Sequence, residues 1–145
     1  MNTNSPKRQV ALAILHQDRR FLMQLRDNIP TIAHPGYWAF FGGHIEPGET
    51  PEVAVKREII EEINYEMPTV TSFGAFDAPQ AVRHVFYAPL TVGLDELELN
   101  EGWDLDLWSI EEIQKGERYS KKADSIRPLG KPHQQILLDF IDRHL

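Results

Sequence analysis

Glu49, Glu58, Glu61 and Glu62 carry the chemistry most legible in this chain. The last three lie three and four residues apart, spacings at which like charges repel across a helix surface. At ~100° per residue, with Glu58 at zero, Glu61 falls near ~300° and Glu62 near ~40°, so the three carboxylates share one face. Apart from Arg57 beside them, no Lys or Arg stands at a helical offset to balance them. A bound cation is the simplest compensation, and hard divalent cations prefer carboxylate and carbonyl oxygens. A charged face opposite an apolar one is also what any surface helix shows. What sets this one apart is the Gly42-Gly43 pair and Glu49 placed just ahead of it.

The elements that must position these groups can be read around them. Thr50 is a suitable N-cap with Pro51 at the first helical position, so a helix is predicted from there to about Ile63. Asn64 tolerates the left-handed conformation that ends helices. Ile59, Ile63, Ile60 and Val53 are expected to form its buried stripe. Val10 to Leu15 and Phe21 to Leu25 read as strands joined through a His16–Arg20 loop. Asp27 to Gly36 reads as a loop, Tyr37 to Phe41 as a short strand, and Gly42-Gly43 as its end. Thr69 to Phe76 and His84 to Val92 are β-rich, with Pro89 suggesting an edge or bulge. Trp103 to Trp108 alternates as a half-buried strand does. Ser109 to Glu112 is a capping box opening a short helix. Lys115 to Lys131 reads as an exposed connector rather than a lid. Pro132 to Leu145 is an amphipathic helix with Ile136, Leu137, Phe140 and Ile141 on one side. Strands and helices mix without a βαβ rhythm, which favours an α+β fold.

The chain has 145 residues, enough for one domain with a genuine core; residues 9–145 are assigned to it and 1–8 to a disordered tail. The absence of cysteine excludes disulfides, thiolate catalysis and Cys-ligated zinc. With no apolar leader and no run of membrane-spanning length, a cytoplasmic location is expected. A net charge of −7 argues against binding a nucleic-acid backbone. A small anionic substrate is also repelled unless a metal inverts the local field.

Gly43 to Tyr65, GHIEPGETPEVAVKREIIEEINY, resembles the Nudix box Gx5Ex7REUxEExGU, where U is a bulky apolar residue. Gly43, Glu49, Arg57, Glu58, Ile59, Glu61 and Glu62 match in register, and Tyr65 fills the last U. At ordinary residue frequencies six fixed positions coincide by chance about once in 10⁷ starts. The one departure is Asn64 where the family has glycine. The resemblance implies a Nudix-type mixed β-sheet sandwiched between helices. It also implies hydrolysis of a diphosphate linkage in a nucleoside diphosphate joined to another moiety, with Mg²⁺ or Mn²⁺. The alternative is a Nudix-fold nucleotide-binding or sensor module without turnover; retention of every box carboxylate favours the enzyme.

By the same resemblance Glu58, Glu61 and Glu62 ligate metal, joined by the Gly42 carbonyl. Glu58 or a neighbouring carboxylate such as Glu61 is the candidate general base. Arg57 and Glu49 are expected to pair and hold the loop against the helix, completing the catalytic set. Glu101 is the candidate late ligand, with Glu98 and Asp104 as rivals. Substrate contacts are expected from Arg26, from Arg83 with His84, and from one of the aromatic residues before the box, Phe41 foremost. His44 reads as a loop residue. No asparagine stands just before the final helix, which weakens an 8-oxo-dGTP assignment. Pro79 is a faint pointer to ADP-ribose, and no coenzyme A signature is visible. A nucleoside triphosphate or nucleotide sugar is the expected partner, with no nucleic acid and no membrane; a homodimer is left open.

Overall fold

Residues 7–32 and 34–145 are described by a computed structural model. Its centre is a seven-stranded mixed sheet in the order β3-β2-β1-β6-β5. β1 (Arg8–Gln17) runs parallel to β6 (Ala81–Pro89) and antiparallel to β2 (Arg20–Leu25). Its other half pairs β4 (Phe41–His44) on that same edge, while β2 also pairs β3 (Trp38–Ala39) and β7 (Asp104–Trp108). β5 (Thr71–Asp77) closes the far edge against β6.

The continuous apolar run in β1 reflects burial on both faces, as expected of a strand with a parallel neighbour. Ala11, Ala13 and Leu15 pack toward α1 (Pro51–Ile63), against Ala54, Val55, Ile59 and Ile63. Leu12 and Ile14 face the other way, toward Ile136, Leu137 and Phe140 of α3 (Lys131–His144) and Ile113 of α2 (Ile110–Lys115). The fold is therefore α+β, a mixed sheet between helices. Among the described residues no helix is long and apolar enough to cross a membrane.

Local differences from the sequence expectations have physical reasons. The expected tail lies outside the described residues up to position 6, but Arg8 already opens β1 and Lys7 pairs with Asp77 at 2.6 Å. The β1–β2 loop shrinks to Asp18-Arg19, whose φ values of 51° and 60° match the two-residue turn that fits strand twist. Gly42 and Gly43 continue a strand instead of ending one. Pro89 is the last paired residue of β6, and the bulge falls on β5 between Ser72 and Gly74. Residues 115–131 are no plain connector: β8 (Glu117–Ser120) and β9 (Ser125–Pro128) form a hairpin. Arg118 pins that hairpin to the Leu107 carbonyl, Asp106 and Glu112. Its strands are too short and polar for an alternation signal to show.

The largest correction concerns the rotation of α1. Ala54, Val55, Ile59, Glu62 and Ile63 are buried, whereas Val53 and Ile60 are 53% and 46% exposed. In the angular frame used above, the buried arc is centred near ~60°, close to Glu62 itself. The helix turns a carboxylate toward the sheet, and β4 shows why.

Candidate functional site

Gly42 has φ 143°, and a Cβ there would lie 2.1 Å from the Ala11 carbonyl oxygen. Only glycine fits this approach of β4 to β1. The Ile45 N–H bonds Gln9, which fixes the alternation of the antiparallel ladder. Gly42, opposite Leu12, then occupies a pair that exchanges no bonds, so its own N–H and C=O point away from β1. The freed N–H donates to Glu62 Oε1 at 2.9 Å. Burial pushes the Glu62 carboxyl up to about 8, the Gly42 N–H opposes this, and the Glu58 and Glu101 charges add to it.

Gly43 serves a different need. Its φ is not left-handed, but a Cβ would sit 2.6 Å from Glu58 Oε1, so the Glu58 carboxylate rests against the strand backbone. Burial raises the Glu58 pKa, the Arg57 hydrogen bond lowers it, and Glu61 and Glu101 raise it further.

Arg57 is the hub of the loop. Its Nε and Nη2 grip both oxygens of Glu49 at 2.6 and 2.9 Å, and Nη2 also donates to the His44 carbonyl at 3.1 Å. Nη1 reaches Glu58 at 2.9 Å and Glu61 at 3.3 Å. Glu49 accepts the Glu46 N–H as well, and the Arg57 hydrogen bond is the main reason its pKa falls to about 2. Planar two-pronged pairing of this kind fixes orientation as well as charge.

The end of α1 holds the remaining carboxylate in place. Asn64 caps the helix at φ 53° and donates its N–H to Ile60. Asn100 N–H bonds the Glu62 carbonyl, Glu98 N–H bonds that of Ile63, and Asn100 Nδ2 bonds that of Glu61. The orphan carbonyls of the last turn are thus satisfied by the 98–100 segment. This clamps Glu101 to the helix end, where its charge acts on both Glu58 and Glu62. The rivals are engaged elsewhere: Glu98 accepts from Asn64, and Asp104 from Ser120 and the Leu105 N–H.

These groups fit a divalent cation by their chemistry. The charges of Glu58 and Glu101 raise the Glu62 pKa, and those of Glu61 and Glu101 raise that of Glu58, which is repulsion that a cation relieves. They do not form a closed cage: among the described residues no three His, Asp or Glu side chains converge tightly enough to hold an ion as they stand. Glu61, 58% exposed at its side chain, leans toward Arg57.

Of the expected substrate contacts, Phe41 is corrected. It is fully buried against α1 and has no surface for a base. Arg26 acts electrostatically on Glu62 and also on His34 and His133, so it lies between the carboxylates and a group of rings. Arg83 belongs to that second neighbourhood, and His84 is tied to Gln9 at 2.8 Å. His44 meets Arg8 at 2.9 Å. Sequence reasoning missed Asn100 and His133. Asn100 stood beside Glu101 in a turn-like NEG segment, whereas His133 gave no signal within an amphipathic helix.

Comparison with known proteins agrees with this geometry. The NUDIX domain family model matches residues 6–129. A Bacillus subtilis protein provisionally named an 8-oxo-dGTP diphosphatase is 30% identical over 82 residues, 55% of this chain and 51% of that one. The nucleoside triphosphatase NudI of Salmonella arizonae is 36% identical over 62 residues, 42% of this chain and 43% of its own. The chain thus spans about half or less of the length of these curated relatives. The MutT NUDIX hydrolase structure from Burkholderia pseudomallei superposes with a TM-score of 0.72 at 24% identity, covering 93% of this chain and 98% of that one. The NUDIX domain of Shewanella oneidensis NrtR, solved with ADP ribose, gives 0.73 at 18% identity, covering 98% and 91%. From the box on α1 to the sheet between helices, this chain belongs to the NUDIX domain family.

Proposed function

We propose that the chain hydrolyses a phosphoanhydride bond of a nucleoside triphosphate, with Mg²⁺ or Mn²⁺ held by Glu58, Glu62 and Glu101, the Gly42 carbonyl and, on rotation of its exposed side chain, Glu61. The observation that carries this reading is the Glu62 carboxylate, buried and held by a backbone N–H while facing two further carboxylates. Such an arrangement is unfavourable without a cation and apt with one. When bound, the metal supplies charge neutralisation on the phosphate oxygens.

The protein's own groups do the rest. Gly42 N–H fixes one Glu62 oxygen and leaves the other for a ligand. Arg57, anchored on Glu49, holds Glu58 from one side while Gly43 bounds it on the other. Glu58, whose pKa burial raises, is suited to take a proton from the attacking water. Arg26, between the carboxylates and the rings, is placed for a phosphate oxygen. The nucleoside triphosphate class is favoured by the names of the two curated relatives, and ADP-ribose by that of one structural neighbour.

The test is phosphate and monophosphate release across nucleoside triphosphates, nucleotide sugars and ADP-ribose, with Mg²⁺ and with chelator. Turnover of a triphosphate that stops on chelation is expected. Binding of nucleotides without turnover of any would replace the enzyme by the sensor module.

A further inference from the structure

Gln24 is the one polar residue in the buried run of β2, Phe21 to Leu25, and is only 4% exposed. Alternation along the strand puts it on the face of Leu22, which packs in the α1-side core. An amide sealed there needs partners. Its place in the sheet supplies them, since Gln24 lies opposite Ala39 of β3 on one side and Leu105 of β7 on the other.

Phe40 falls between β3, which pairs with β2, and β4, which pairs with β1. At this step from one partner strand to another, side chains meet its backbone groups. His133 Nδ1 accepts the N–H at 3.2 Å, and Gln24 Nε2 donates to the carbonyl at 3.1 Å. The Gln24 amide thus does the work of a ladder neighbour. Two residues on stands Gly42, whose N–H holds Glu62.

The other end of the same amide meets the segment that carries Glu101. Gly102 holds φ 110°, and a Cβ there would lie 3.1 Å from Gln24 Oε1 and 3.4 Å from the Leu25 carbonyl oxygen. The Trp103 N–H bonds that carbonyl at 2.8 Å. The chain leaving Glu101 therefore turns directly onto β2. On the side before Glu101, Asn100 bonds the last carbonyls of α1. Glu101 is bracketed by two anchors, and the second includes the amide that also fixes the step into Gly42.

We propose that Gln24 is a positioning residue for the metal site: its amide is a strut that sets the spacing between Glu101 and the Gly42–Glu62 pair. This rests on the metal-dependent reading above. The test is Mg²⁺ and Mn²⁺ binding by calorimetry to the unmodified chain, Gln24→Met, Glu101→Gln and the double variant, beside urea unfolding in chelator. Methionine keeps the length of the side chain and removes the amide. Gln24→Met should weaken cation binding about tenfold. In the Glu101→Gln background the same change should weaken it less than about twofold, because the ligand that the strut places is already lost. Activity should show the matching split, with more Mg²⁺ needed for half-maximal rate and kcat at saturating Mg²⁺ little changed. Equal weakening in both backgrounds overturns the inference alone. So does unchanged binding in folded Gln24→Met, even where urea unfolding shows a loss of stability, and so does unchanged binding in Glu101→Gln. If Gln24→Met does not fold, Gln24→Asn, whose amide is one methylene short of Phe40 and Gly102, is held to the same comparisons. No binding of either cation to the unmodified chain overturns the metal reading and this inference with it.

Discussion

On the α1 side of the sheet, charge is held by groups close in sequence: Gly42, Gly43, Glu49, Arg57, Glu58 and Glu62 belong to one strand, the loop after it and one helix. On the α3 side, Phe40, Arg83 and His133 come from three distant segments; a backbone-to-imidazole bond and a ring contact join Phe40 to His133, and Arg83 acts on that ring by its charge. The first region is rigid and carboxylate-rich, with a cation-shaped deficit. The second is cationic and aromatic. The family box lies wholly in the locally encoded region, whereas the other region is built from long-range contacts.

Two glycine replacements should separate the regions most strongly. Gly42→Ala places a Cβ 2.1 Å from a backbone oxygen at φ 143°, so neither strand can yield. We expect a loss of about 3 kcal/mol or more in urea unfolding. Gly130→Ala meets only the rim of the His133 ring at 3.1 Å, and its φ of −58° is ordinary. There the expected loss is about 1 kcal/mol, that of a helix cap. Equal losses would show that the two sides are not built differently.

Glu62→Gln keeps an acceptor for the Gly42 N–H and removes the charge. Activity with Mg²⁺ should fall by at least about 10²-fold with the fold retained. The variant also tests the electrostatics without metal. With its pKa raised from 4.5 to about 8, Glu62 contributes its full stability below the unfolded value and loses it as pH rises through the folded one. In chelator the unmodified chain should therefore lose stability relative to Glu62→Gln as pH rises from about 5 to about 8, by about 1.4 kcal/mol for each pH step of one. Mg²⁺ binding near neutral pH should release a proton, seen by calorimetry in buffers of different ionisation enthalpy. A stability gap that does not change with pH would refute the buried-charge account. Arg57→Lys, which cannot grip Glu49 in two prongs, should lower kcat by roughly 10- to 100-fold with little change in KM.

The contrast also explains what was legible. The Thr50 cap, Pro51 and Asn64 gave the α1 boundaries, because caps are local chemistry. Box spacing gave the carboxylates, because their offsets lie within one helix. Rotation of that helix was not legible, since it depends on an amide of Gly42 freed by strand pairing across the sheet. The same holds for Phe41, one aromatic among several whose inward direction is set by β4 pairing with β1. Asn100 was hidden because its partners are backbone carbonyls on another element, and His133 because only the fold brings Phe40 to it. The β8–β9 hairpin, stabilised by Arg118 more than by apolar burial, carries no periodic signal.

The smallest effect should come from Asn64→Gly, which installs the residue that the family box has at this position. Asn64 holds φ 53° and its Nδ2 donates to Glu98 at 3.0 Å on the surface. Glycine adopts that backbone without steric cost, which offsets the loss of one exposed hydrogen bond. The segment bearing Glu101 stays tied by Asn100 and the Glu98 N–H, which bond carbonyls of α1 and not the Asn64 side chain. Stability should change by less than about 0.5 kcal/mol and Mg²⁺ affinity by less than about twofold. Asn100→Ala, which cuts the Nδ2 bond to the Glu61 carbonyl, should weaken Mg²⁺ binding more than Asn64→Gly does. The reverse order would place the anchor of the late carboxylate in the cap side chain rather than in the backbone clamp.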